Sequence, residues 1–239
     1  MSLEITSESP DQYKRNTSNF DSTLRYDTDF GYSKMSSICN KMIKNSNITL
    51  NDNILEIGGG TGELILKYAN YTRNIVVTDI NPYMIKVIQQ KARDNKNIFY
   101  ALTDAKKIPF KDNSFNVVLE RNLPLIYLDT FISDGTAIKV LNEMKRVSND
   151  KVVVIHQNNT PLQRKEAGVH LFNESELKTI LEDDLELVNV KVINAVFSNP
   201  FLYSFLEEAL SREIEKICGD SFLLKRFSGC LIACGSKMG

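Results

Sequence analysis

The chain has 239 residues, 42% of them apolar and 25% charged, with a formal net charge of −1. This is an ordinary soluble, globular composition with enough chain to bury a sizeable core. It supplies no basic field for nonspecific binding to nucleic acid, which disfavours such a partner. No apolar run reaches the roughly 18 residues of a membrane span, and neither a span nor a secretory leader is expected.

The first twenty or so residues, rich in Ser, Asp and Asn, read as a loosely held arm. Tyr26, Phe30 and Tyr32 follow as an aromatic cluster, which either packs the arm onto the core or covers a ligand. Met35, Ile38, Cys39, Met42 and Ile43 recur at helical spacing and predict a helix over 33–44. From Asn53 the chain alternates between strand and helix. Ile54-Leu-Glu-Ile57 is a short apolar strand that breaks into Gly58-Gly-Gly-Thr-Gly62, and a helix is expected over 63–70. Asn74–Asp79 reads as a second strand. Asn81-Pro82 then opens a helix, with Asn as cap and Pro where its missing N–H costs nothing. Strands follow over 97–102, 115–119 and 151–156, with a helix marked by Ala137, Leu141 and Met144. β-branched strands alternating with helices call for a mostly parallel, Rossmann-like sheet of the α/β class, covered by helices on both faces.

The last third changes character. Asn173-Glu-Ser-Glu176 has the form of a capping box opening a helix. Residues 185–196 and 227–234 read as closing strands that form an antiparallel hairpin at the sheet edge. An amphipathic helix over 200–217 lies between them, and its excursion spans 196–226. One domain is expected: an arm and helix over 1–50, a ligand-binding core over 51–160, and the closing elements over 161–239. Cys230 and Cys234 share a face of the last strand but lie roughly 13 Å apart at about 3.3 Å per residue. That distance rules out a disulfide or a shared metal ion between them. With Cys39 and Cys218 they read as reduced cysteines of a cytoplasmic protein, with no metal expected.

In an open α/β sheet, ligands sit beyond the carboxyl ends of the strands. The residues there are the glycine turn, Asp79, Asp104-Ala105, Glu120-Arg121 and His156. Glycines let backbone close on a ligand. Asp79 suits a ribose diol, and Asp104 suits an adenine amine. Each acid alone could equally cap the next helix; together they outline an adenosine-shaped site. The dinucleotide fingerprint would place glycine where this chain has Glu63, which disfavours a nicotinamide cofactor.

Ile54-Leu-Glu-Ile-Gly-Gly-Gly-Thr-Gly62, Val77-Thr-Asp-Ile-Asn-Pro-Tyr-Met84 and Thr103-Asp-Ala-Lys-Lys-Ile-Pro-Phe110 resemble three successive motifs of class I S-adenosylmethionine-dependent methyltransferases. The last of these is similar to the small-molecule branch, such as quinone-biosynthesis enzymes. The resemblance implies a seven-stranded sheet, S-adenosyl-L-methionine as cofactor and S-adenosyl-L-homocysteine as product. It implies that Gly58, Gly60 and Gly62 approach the methionine part, with Glu56 fixing the loop or reaching the amino group through water. Asp79 would hold the ribose and Ile80 the adenine face; Asp104 and Ala105 would read the adenine edge, and Glu120 would line the methionyl side. Ser148-Asn149-Asp150 replaces the family's Gly-Gly and is expected to alter only a turn.

A sulfonium methyl is intrinsically electrophilic, so the protein mainly aligns the acceptor and excludes water. His156 and Glu120 are the candidate catalytic bases, and His170 is a weaker one. Tyr26, Phe30, Phe201 and Tyr203 are the candidate substrate lining. That lining suits an apolar or aromatic small molecule, or a peptide side chain, as acceptor to an O, N or C atom. Asn122-Leu-Pro-Leu125 resembles the Asn-Leu-Pro-Tyr motif of rRNA adenine dimethylases but lacks the stacking ring. An rRNA or tRNA adenine methyltransferase is therefore one alternative, and a non-catalytic cofactor-binding accessory protein another. A monomer or homodimer is expected.

Overall fold

The computed structural model describes residues 21, 29–123, 133–157, 172–182, 186–193 and 230–236. The chain runs α1 (Asp29–Ser46), β1 (Asn53–Ile57), α2 (Ile65–Tyr68), β2 (Asn74–Asp79), α3 (Pro82–Lys91), β3 (Ile98–Leu102), β4 (Phe115–Arg121), α4 (Thr136–Val147), β5 (Ser148–Gln157), α5 (Glu174–Glu182), β6 (Glu186–Ile193) and β7 (Cys230–Ser236). The sheet has seven strands in the order β3-β2-β1-β4-β5-β7-β6. β1 to β5 pair in parallel, and β7 is antiparallel to both β5 and β6. The expected closing hairpin is present, with the last strand in sequence lying inside the sheet and β6 at its edge.

Alternation along the strands sorts side chains onto two buried faces. Ile54, Val77, Leu119 and Ile155 point to one face and pack against Met35, Ile38, Cys39 and Met42 of α1. Leu55, Ile57, Val118 and Val154 point to the other, against Val140, Leu141 and Met144 of α4 and Leu177 and Leu181 of α5. Each fully buried Ile or Leu contributes roughly 2 kcal/mol through area removed from water, which makes a one-residue register slip prohibitive.

The caps follow the sequence. Asn81 Oδ1 accepts from Tyr83 N at 2.9 Å at the start of α3. At α5, Asn173 Oδ1 accepts from Glu176 N and Glu176 Oε2 accepts from Asn173 N, both at 2.9 Å, a reciprocal capping box. Two expectations need correction. The helix after Gly62 is only one turn, Ile65–Tyr68, continued by a 3-10 turn over Ala69–Tyr71. Ser148-Asn149-Asp150 is not a turn but the start of β5. There Ser148 pairs with Phe115 across a register shift, and its Oγ donates to Lys151 O at 2.9 Å. The expected helix over 200–217 lies outside the described residues. Among the described residues, no helix is long and apolar enough to cross a membrane.

The chain leaves β1 towards β2 and β3 on one side, then returns to β4 on the other. The strand order therefore reverses between β1 and β4, and the crevice past their carboxyl ends is the place for a ligand.

Candidate functional site

The turn after β1 depends on missing side chains. Gly58, Gly60 and Gly62 have φ of +67°, +56° and +84°, in the left-handed region that disfavours L side chains. A Cβ on Gly58 would lie 2.6 Å from Leu123 Cδ1, and one on Gly59 would lie 2.2 Å from Val77 Cγ2. The turn is thus gripped from both sides while its backbone stays bare. Gly59 N donates to Thr78 O at 2.9 Å, and Gly60 N donates to Asp79 Oδ2 at 3.0 Å.

Asp79 ends β2 and fastens the turn to the next helix, its Oδ1 accepting from Asn81 N at 2.8 Å. Burial raises its pKa against the opposing pull of the backbone N–H groups of Asn81, Gly60 and Ile80. A carboxylate has about four lone-pair directions, which leaves acceptor capacity beside these bonds. Next to it, Ile80 keeps 44% of its surface exposed, an apolar face bordering an acceptor.

Asp104 remains partly exposed; its Oδ1 accepts from Lys106 N at 2.9 Å and its Oδ2 lies 3.5 Å from Lys106 Nζ. It caps its own turn, the plainer role weighed from the sequence. Ala105 is buried in the core under α4. The stretch that follows is tied to α4 by Arg146, which donates to Ile108 O and Phe110 O, both at 2.8 Å. Glu143 binds the same arginine at 2.7 Å and accepts from Ile108 N at 2.8 Å.

Glu56, in β1, is buried, and Tyr68 Oη donates to its Oε2 at 2.5 Å. Burial pushes its pKa up to about 7; the Tyr68 hydroxyl and the charge of Arg121 pull down, while Asp79 pushes up. Glu120 and His156 end β4 and β5 on the opposite sheet face, with 0% and 1% of their side chains exposed. Glu120 Oε1 lies 2.9 Å from His156 Nε2 and Oε2 accepts from Leu123 N at 2.9 Å. The imidazole packs edge-on to Phe172 at 5.4 Å between centroids. Glu120 thus lies inside the protein rather than on the surface of the crevice, and the pair offered by the sequence as bases is sealed from solvent.

The structure therefore brings the glycine turn, Asp79 and Ile80 together at one mouth, with Glu56 beneath them. Tyr26, Phe201, Tyr203 and His170 lie outside the described residues, and Phe30 falls in the first turn of α1 with its side chain outside them. Three partnerships were not foreseen: Tyr68 with Glu56, Leu123 with Gly58, and Asp21 with the glycine turn. Asp21 accepts from Thr61 Oγ1 and pairs with Lys91 at 2.6 Å, and Lys91 also reaches Glu63 at 2.5 Å. The two contacts of Asp21 join residues 40 and 70 positions apart, a separation at which sequence carries no local signal.

Residues 54–151 match the family model described as a methyltransferase domain. The ubiquinone/menaquinone biosynthesis C-methyltransferase UbiE of Teredinibacter turnerae is 31% identical over 118 residues, 43% of this chain and 47% of that protein. The UbiE of Ectopseudomonas mendocina is 38% identical over 82 residues, 32% of each chain. These matches span less than half the length of either relative. Among solved structures, the N-methyltransferase NodS of Bradyrhizobium japonicum, in complex with S-adenosylhomocysteine, superposes with a TM-score of 0.64 at 17% identity, over 96% of this chain and 98% of that one. The [4+2]-cyclase SpnF superposes at 0.60 and 14% identity, over 84% and 81%. These structural likenesses speak for the fold alone.

Proposed function

We infer that this chain, whose residues 54–151 match a methyltransferase-domain model, is a class I methyltransferase that transfers the methyl group of S-adenosylmethionine to a nucleophilic atom of a small, apolar molecule. The observation that carries this reading is the bare turn Gly58–Gly62 held by the carboxylate of Asp79 at the point where strand order reverses. A NodS structure with S-adenosylhomocysteine shares the fold, and a relative named as a ubiquinone/menaquinone biosynthesis C-methyltransferase is 31% identical over 118 residues.

The residues present fit the cofactor. The turn offers backbone without side chains at the crevice, with Gly58, Gly60 and Gly62 all at positive φ. Asp79 has capacity for the ribose hydroxyls, and the exposed Ile80 offers an apolar surface for a purine. When bound, the cofactor supplies an electrophilic methyl on sulfur. The chain's own part is to bind, orient and exclude water; Glu56, near half-protonated at neutrality, supplies negative charge for an ammonium group. No buried base needs to act where the acceptor is already a nucleophile. Cys39 and Cys234 are buried free thiols, in keeping with work in the reducing cytoplasm.

Calorimetry with S-adenosylhomocysteine tests the cofactor. Saturation at 100 times the dissociation constant adds about 2.7 kcal/mol of stability, and Asp79→Ala abolishes the gain. Stabilisation by NADH instead overturns the reading. Labelled S-adenosylmethionine offered with separate quinone-like small-molecule, peptide and RNA fractions then tests the acceptor, with label expected in the first; label confined to RNA refutes a small-molecule acceptor.

A further inference from the structure

The two jaws that grip the glycine turn differ in how they are held. Val77, against Gly59, sits inside β2 and is fully buried, so the strand ladder fixes it. Leu123, against Gly58, lies past the end of β4 in irregular chain. A jaw in a loop needs an anchor.

Glu120 provides one. Its Oε2 accepts from Leu123 N at 2.9 Å, and its Oε1 accepts from Ile155 N at 3.3 Å and lies 2.9 Å from His156 Nε2. Between Glu120 and Leu123, Asn122 adopts the left-handed region at φ +50° and donates to Ile155 O at 2.9 Å. The first residues past β4 are thereby pinned to β5 at several points, and Leu123 is left 9% exposed with its Cδ1 over Gly58. A carboxylate with no exposed surface persists only where its oxygens are answered by donors. An apolar residue at this position would fill the space without reaching the Leu123 amide.

We propose that Glu120 is a positioning residue for cofactor binding: it never touches the cofactor, and it sets the Gly58 side of the turn by holding Leu123 in place. The proposal rests on the cofactor reading above. Glu120→Gln keeps the volume but replaces one acceptor oxygen with a donor, which faces a backbone N–H and breaks half of the clamp.

The test is S-adenosylhomocysteine affinity by calorimetry, well below the melting temperature of every variant. E120Q and L123A should each raise Kd on the order of tenfold. The double variant should be no worse than either single one, because both act through one contact. An E120Q Kd within about twofold of wild type, even at a lowered melting temperature, overturns the proposal and leaves a purely structural role. Losses that multiply to about a hundredfold overturn it too, since independent sites add in free energy. If E120Q does not fold, L123A alone decides, and an unchanged Kd overturns the proposal. Failure of the wild-type chain to bind S-adenosylhomocysteine removes the methyltransferase reading and this proposal together; normal wild-type binding with unaffected variants removes only the proposal.

Discussion

Two glutamates lie near the ends of adjacent parallel strands, and the sheet turns them to opposite faces. Ile57 pairs with Glu120 and Glu56 with Leu119, so alternation sends Glu56 towards α1 and Glu120 towards α4 and α5. Both are buried. Glu56 receives the Tyr68 hydroxyl, whereas Glu120 receives two backbone amides and faces an imidazole. The number and type of donors separate their tasks. A carboxylate answered by backbone N–H groups of the loop after β4 and of β5 is a fixed strut. One answered by a single phenol, with a pKa pushed by burial to about 7, sits where a small change of environment alters its charge.

The largest effect is expected from breaking the strut. Glu120→Ala leaves the buried Leu123 and Ile155 N–H groups without their acceptor, a loss on the order of 4 kcal/mol. At about 2–4 °C per kcal/mol for a chain of this size, scanning calorimetry should find the midpoint lowered by roughly 10 °C. A drop of only a degree or two would mean that water replaces the carboxylate and the strut is dispensable.

Glu56→Gln should act next most strongly, and in the opposite direction. The folded chain holds the Glu56 proton up to about pH 7, against 4.5 for an ordinary glutamate. The stability this contributes is complete below the lower value and is lost as pH rises through the upper one, a loss on the order of 3 kcal/mol. The amide mimics the protonated acid. Urea unfolding should therefore find the variant more stable than wild type at pH 8 by up to that amount, with little difference at pH 4. Parallel pH profiles for the two proteins would contradict the raised pKa. Tyr68→Phe removes the phenol from the ionised acid and should cost about 1–2 kcal/mol at pH 8, and less at pH 5, in the same assay. Smallest is Tyr32→Leu. Lys67 Nζ lies 3.1 Å from the Tyr32 ring centroid, but the ring is 63% exposed, so about 0.5 kcal/mol is expected. A change of several times that size would tie Tyr32 to the charge balance around Glu56.

What the sequence conveyed well was what local chemistry decides. β-branched runs placed the strands, Asn81-Pro82 and Asn173–Glu176 placed caps that the structure contains, and the glycines marked a turn with positive φ. Asp79 was legible because a strand end followed by a capped helix start leaves the acid few directions. Glu120 was harder. Leu119-Glu-Arg121 reads alike whichever way the acid faces, and its donors come from Leu123 and from Ile155, 35 residues away. Leu125 drew attention as a missing aromatic, while Leu123, two positions earlier, bears on Gly58. Nothing in the sequence around Arg146 marks it as the residue that holds the carbonyls of Ile108 and Phe110 across a separation of 38 and 36 residues.

The order β5-β7-β6 also has a consequence for how the chain is made. Synthesis delivers β6 before β7, yet among the described residues β6 pairs with the sheet through β7 alone. Until Cys230–Ser236 leaves the ribosome, β5 presents Val152, Val153, Val154 and Ile155 along an open edge, and β6 has nowhere to dock. A nascent chain stalled in that interval carries two unpaired, aggregation-prone strands at once. A single late strand closes both, so the vulnerable interval ends abruptly rather than gradually.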